Sequence, residues 1–193
     1  MDAPGLDECL AEIQQAFEGP EYSLTVLSGK FSSFLKSGMP RQEALGALVK
    51  AAVELTTQQA PKWEFIAARL LNYKFELELQ AELEKRGIHT FYEKLRYLTD
   101  EGLYGAYILE RYSREELEQA ASFLRPERNA LFTYAGLDLQ LKRYVIHTHQ
   151  RVPLETPQEM YLGLSLIHIF FCCGAQRALP GGNTAPGAWR WEA

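Results

Sequence analysis

His147 and His149 form an H-x-H pair that could set two imidazoles on one face of a strand as metal ligands. Glu155 is the nearby residue suited to be a third ligand, so surface histidines on a hairpin are the expectation and no metal ligand is assigned. Glu115, Glu116 and Glu118 offer carboxylates close enough for acid-base work, but they fall in the first turn of a helix, where acidic groups stabilise the dipole. Arg69, among Ala67, Ala68 and Leu70, could hold a phosphate; at a helix contact it is expected instead to pair with a carboxylate and to cover apolar surface with its stem. Tyr92, Tyr97, Tyr104, Tyr107 and Tyr112 could be imagined as a radical relay, and their spacing is met more simply by aromatics packing between helices. The cysteines, Cys9, Cys172 and Cys173, have no CxxC spacing, and adjacent cysteines rarely meet disulfide geometry. No Walker loop and no G-x-G-x-x-G occurs. The expectation is a chain with no catalytic, cofactor-binding or metal-binding residue of its own.

The elements that would carry these residues are helical. Leu10, Ile13 and Phe17 share a face of a helix over about 7–17, stopped by Gly19 and Pro20. A second is expected from Leu24 to Leu35, and a third after Pro40 through Leu45, Leu48, Val49, Ala52 and Leu55. The longest should run from about Pro61 to Arg86, with Phe65, Ala68, Leu71, Tyr73, Phe75, Leu79 and Leu83 as its apolar face and Gly87 as its end. Further helices are read over about 90–99, from the S-x-x-E capping box Ser113–Glu116 to about Leu124, and over 133–142. Residues 144–147 and 151–154 could pair as a small hairpin around His149 and Gln150. Thr156, Pro157 and Glu159 then open a last helix.

Composition narrows the function classes. The 193 residues, 47% of them hydrophobic and 23% charged, suffice for the core of one globular domain. A net charge of -5 argues against broad binding to nucleic acid, which needs a Lys/Arg excess on some face. No basic start with an apolar run marks a signal peptide, and the longest apolar stretch, Leu164 to Cys173, is far short of the roughly 20 residues that span a bilayer. The expectations are a soluble cytoplasmic protein, no membrane and no nucleic-acid partner.

The character of the chain changes at Gly163. Residues 164–193 hold two of the three cysteines and two of the three tryptophans, but only Arg177, Arg190 and Glu192 as charges. The bases CTG TCT CTT ATA CAC ATC translate as Leu-Ser-Leu-Ile-His-Ile, the string found from Leu164 to Ile169. That string resembles the transposon end sequence used in preparing sequencing libraries. Residues 164–193 are therefore expected to be a non-native, adapter-derived and disordered tail.

Ordered blocks before that point carry a family resemblance. They are Leu48-Val49-Lys50-Ala51-Ala52-Val53-Glu54-Leu55, Ala60-Pro61-Lys62-Trp63-Glu64-Phe65-Ile66-Ala67-Ala68-Arg69-Leu70-Leu71, Tyr112-Ser113-Arg114-Glu115-Glu116-Leu117, Phe132-Thr133-Tyr134-Ala135-Gly136 and Glu155-Thr156-Pro157-Gln158-Glu159-Met160-Tyr161. Taken together over about Gln42 to Gly163, with a weaker extension back to Leu6, they resemble the N-terminal region of ribonucleotide reductase large subunits. The resemblance implies a mainly α fold: degenerate or truncated ATP-cone-like helices over 1–56, a helical domain over 57–163, and no barrel. It implies a fragment of an oxidoreductase that makes deoxyribonucleotides for DNA synthesis. The barrel cysteines that reduce ribose in that family match no residue here, so the fragment alone is expected to be inactive. The family's small radical-generating subunit with its metal or radical cofactor, a second large subunit, and nucleotide effectors are the implied partners. In a loose alignment Glu8 and Leu77 stand where the family often has lysine, and the cone's phosphate-binding hairpin has no match, so little ATP binding is expected. The rival reading is a stand-alone helical regulatory or protein-binding module.

Overall fold

A computed structural model describes the backbone of residues 5–177 and the side chains of 5–167. Nine α-helices, two 3-10 turns and one isolated β-bridge make up the described residues. The helices are α1 (Leu6–Ala16), α2 (Leu24–Ser32), α3 (Arg41–Glu54), α4 (Trp63–Lys85), α5 (Phe91–Asp100), α6 (Tyr107–Arg111), α7 (Arg114–Ala121), α8 (Tyr134–Arg143) and α9 (Pro157–Arg177). The fold is mainly α, as the apolar periodicity requires, and no sheet or barrel is present among the described residues.

Helix α4 organises the rest. Its N-terminal half gives Trp63, Ile66, Ala67, Leu70 and Tyr73 to a core shared with Cys9 and Ile13 of α1, Leu27 of α2 and Leu48, Ala51 and Ala52 of α3. The Trp63 indole N–H donates to the Glu21 carbonyl at 3.1 Å, so the one polar atom of this large buried side chain is satisfied. Further along, Phe75 and Leu79 join a second core with Leu137 and Leu141 of α8. The sequence reading gave α4 a single stripe through Phe65 and Leu71; both are only partly buried, while Ile66, Ala67 and Leu70 are sealed. A helix placed centrally buries more than one face, so the 3.6-residue period loses its contrast.

A third core brings together Phe91 and Leu95 of α5, Ile108 of α6, Leu117 of α7 and Leu166 of α9. Helix ends follow local chemistry. Ser113 and Glu116 form the expected reciprocal capping box, and Thr90 with Glu93 forms another that the sequence reading passed over. Gly87, at φ +66°, supplies the left-handed residue after α4, with Ile88 N–H returning to the Leu83 carbonyl. Helix α2 stops three residues before the expected Leu35, because the Ser32 and Ser33 hydroxyls donate to the carbonyls of Ser28 and Lys30 and compete with continued winding.

The hairpin is reduced to one bridge, His147 with Pro153, closed by Thr148 N–H to the Val152 carbonyl and Leu154 N–H to the Ile146 carbonyl. Where a disordered tail is expected from Leu164, α9 continues as helix to Arg177, and Leu166 is buried. The cause is cooperative: once Thr156 and Glu159 cap the first turn, each added residue gains a hydrogen bond without a new nucleation cost. The remainder of that expectation, 178–193, lies outside the described residues.

Candidate functional site, a buried carboxylate under the hairpin

The run Pro153-Leu154-Glu155-Thr156-Pro157 leaves the hairpin and enters α9, and Glu155 is only 2% exposed. Its position follows from its neighbours in sequence: the bridge pulls Pro153 and Leu154 inward, and the Thr156 N-cap fixes where the helix starts. One carboxylate oxygen of Glu155 accepts from Ile146 N–H at 2.9 Å and the other from the Tyr104 hydroxyl at 3.3 Å. The side chain thus ties together the hairpin, the loop after α5 and the start of α9.

A buried ion pair lies beside it. Lys94 of α5, 6% exposed, donates to both oxygens of Glu159 at 2.7 and 2.8 Å. Glu159 also accepts from Thr156 N–H at 2.7 Å, while Glu159 N–H donates to the Thr156 hydroxyl at 3.1 Å. The anticipated capping box therefore doubles as an anchor for a cation. Two carboxylates share a single lysine, and Lys94 is committed to Glu159. Burial is the main reason that the Glu155 carboxyl titrates at about 7 rather than 4.5, and the charge of Glu159 adds to it. The Ile146 N–H, the Tyr104 hydroxyl and Lys94 act in the opposite direction without cancelling it. The Tyr104 phenol is pushed above its ordinary range, first by burial and then by Glu155.

Gly163 makes this arrangement possible. A Cβ at that position would lie 2.1 Å from the Tyr104 hydroxyl oxygen, so only a glycine admits the phenol between α9 and the hairpin. Tyr104, Tyr107, Tyr144, Ile146, Glu155 and Met160 line a cleft of about 230 Å³ that opens beside the carboxylate. A second, more apolar cleft of about 280 Å³ lies between α1, α2 and α3, walled by Leu6, Leu10, Leu24, Phe31 and Leu45, with Arg41 as its one charged lining residue.

The other residues singled out in the sequence are placed as structural parts. Among the described residues no group of three or more His, Cys, Asp or Glu could hold a metal, and Glu155 faces Ile146 and Tyr104. Glu116 closes its capping box and Glu118 accepts from Tyr92 N–H at 3.0 Å. Arg69 covers apolar surface as expected, its guanidinium 4.7 Å from the Phe17 ring centre, but no carboxylate within the described residues forms an ion pair with it. Tyr92, Tyr104, Tyr107 and Tyr112 flank the third core, while Tyr97 accepts from Arg86 at 2.9 Å instead. Burial, with Glu12 and Glu76, pushes the Cys9 thiol up to about 11, which leaves it protonated and unreactive at neutral pH. The side chains of Cys172 and Cys173 lie outside those described.

Lys94 and Tyr104 were missed as partners of this site. For Lys94 a signal existed: Phe91, Leu95 and Leu98 define the inward face of α5, and position 94 lies on that face one turn from Phe91 and from Leu98. A lysine there must either snorkel or find a carboxylate. No local pattern joins Tyr104 to residue 155.

No family model matches the chain. It is similar to the ribonucleoside-diphosphate reductase subunit alpha of Treponema pallidum (strain Nichols), with 56% identity over 157 residues, which is 81% of this chain and 19% of that protein. The corresponding subunit of Enterobacteria phage T4 is 28% identical over 78% of this chain and 20% of its own length. Subunit alpha of reductase 1 from Escherichia coli (strain K12) is 24% identical over 65% of this chain and 16% of its own. The chain thus spans about a fifth of the length of the curated relatives it matches.

Proposed function

From homology to the ribonucleoside-diphosphate reductase alpha subunit over about a fifth of that protein's length, we propose that this chain is helical scaffold of such a subunit and that catalysis belongs to the whole enzyme. The observation that carries the reading is the 56% identity to the Treponema pallidum subunit across four-fifths of the chain. The whole enzyme would reduce ribonucleoside diphosphates to deoxyribonucleotides for DNA synthesis, in the cytoplasm, with a small radical-generating subunit and a second large subunit as partners. The metal or radical cofactor and the nucleotide effectors belong to that assembly. No helix among the described residues is long and apolar enough to cross a membrane.

The described side chains support a scaffold role. Cys9 is a buried, protonated thiol, and of the carboxylates weighed for acid-base work Glu116 closes a capping box while Glu118 accepts from Tyr92 N–H. A stand-alone regulatory module is not favoured, since every relative named above is a reductase subunit. Nucleotide binding by the first three helices would be weak: their cleft is lined by leucines and by one cation, whereas a triphosphate needs several donors. Leu164 onward is read as foreign sequence on the strength of the codon match.

The test is a chimera. Residues 6–163 replace the homologous segment of the Treponema pallidum alpha subunit, and cytidine diphosphate reduction is assayed with the cognate small subunit. Activity within about threefold of the parent is expected, and a folded, assembled chimera lacking activity would overturn the reading. The isolated chain in the same assay should show no turnover. Sequencing across the Gly163 codon in source DNA should find a different continuation, and reproduction of 164–193 there would remove the foreign-tail reading.

A further inference from the structure

The polar cluster around Glu155 is one cation short. Glu155 and Glu159 bring two carboxylates together, Lys94 is the one cation among the groups acting on the Glu155 carboxyl, and Lys94 holds Glu159 through both oxygens. Among the described residues no lysine, arginine or histidine forms an ion pair with Glu155. An ionised carboxylate that is 2% exposed and lacks a cation is costly. Each of its oxygens accepts one protein hydrogen bond and keeps a second lone pair.

The space beside it suits what is missing. The cleft of about 230 Å³ has Glu155 in its wall beside the apolar bodies of Ile146 and Met160 and Tyr104, Tyr107 and Tyr144, and Leu164 and Ile167 from beyond Gly163 also line it. Tyrosine faces attract cations, and the aliphatic walls accept methylenes. At its mouth Leu103 and Tyr144 stand 40% and 56% exposed, apolar surface beside a buried charge.

We propose that this cleft is a recognition site for an alkylammonium group, whose methylenes lie along Ile146 and Met160 and whose –NH₃⁺ donates to the free lone pairs of Glu155. The ammonium comes either from a lysine side chain of a protein partner or from a free aliphatic amine. A proton competes with it: where Glu155 is protonated the cluster is already neutral, so the site takes its ligand above the carboxyl's titration at about 7 and releases it below. The charged groups facing that carboxyl are Glu159 and Lys94, and the Tyr104 phenol stays neutral throughout this range. The site does not depend on what the whole enzyme catalyses.

The test uses the full 193-residue chain, isotope-labelled and titrated with n-pentylammonium chloride at pH 8.5 in constant ionic strength. Saturable shifts of the Ile146 and Glu155 amides and of the Met160 methyl are expected, with Kd on the order of 1 mM, the range a ligand of about six heavy atoms reaches. Affinity should fall at least tenfold at pH 5.5, and at least tenfold at pH 8.5 in E155Q, which keeps an acceptor for Ile146 N–H. The pH arm decides the matter should E155Q not fold. N-acetyl-Gly-Gly-Lys-Gly-Gly-amide binding more tightly than pentylammonium assigns the cleft to a partner's lysine, and the reverse order assigns it to a free amine. Shifts that 1-pentanol reproduces, that persist in E155Q, or that are unchanged at pH 5.5 would overturn the site.

Discussion

The first core and the node around Glu155 are both buried, yet they are held together by different physics. Around Trp63 the interior is leucine, isoleucine, alanine and aromatic rings, with the indole N–H bonded to a backbone carbonyl. Around Glu155 it holds two carboxylates, a lysine and a phenol within one set of hydrogen bonds. Stability in the first region comes from apolar area and close packing, which are indifferent to pH. In the second, burial opposes charge, and the balance shifts with protonation. One small helical protein therefore contains an interior that responds only to volume and another that responds to pH as well.

Removing the centre of the first core should have the largest effect. Trp63→Ala deletes a side chain 2% exposed and should cost about 3–5 kcal/mol by denaturant unfolding, with the same loss at pH 5 and pH 8. A loss that varies with pH would blur the contrast between the regions. Lys94→Met should cost about 3–4 kcal/mol near pH 8, since it leaves Glu159, 12% exposed, without its cation beside an ionised Glu155, and less at pH 5, where Glu155 is protonated. A cost equal at both pH values would mean that lysine packing, not charge, matters there.

Glu155→Gln isolates the pH-sensitive part. The carboxyl's folded-state pKa of about 7 exceeds its ordinary 4.5, so its contribution to stability is full below pH 4.5 and is lost as pH rises through 7. Removing the titration should make the variant's stability relative to the parent rise by about 3 kcal/mol between pH 4.5 and 8. Glu54 and Glu93, whose pKa values are lowered by Lys30 and by the His89 and Thr90 N–H groups respectively, run the other way and are common to both proteins. A flat difference across that window would remove Glu155 from the account.

Gly163→Ala sets a methyl against the Tyr104 hydroxyl and should cost about 1–3 kcal/mol, with changed fluorescence from the displaced phenol. Combining it with Tyr104→Phe should recover part of that loss, because the clashing oxygen is gone; no recovery would place the strain elsewhere. Smallest is Ser113→Ala, about 1 kcal/mol at any pH between 5 and 8, since a hydroxyl cap carries no titrating charge.

Much of the framework was legible from local signals. Ser113 with Glu116, Thr156 with Glu159, and Gly87 after a long apolar helix each act over a few residues, so their types alone set helix ends close to where they are observed. The five-residue α6 was not legible, since a single turn has no period to detect. Nor did composition reveal that helix would run on past Gly163.

What the sequence determined by itself is the helical framework: the turns, caps and most of the apolar positions, because these depend on neighbours three and four residues apart. Only the tertiary structure decided that α4 would be buried on more than one side, that Lys94 would meet Glu159 across 65 positions, and that Tyr104 would reach Glu155 over a glycine. Those pairings join segments with no local relation. Their worth comes from exclusion of water, which exists only once the helices have closed around them.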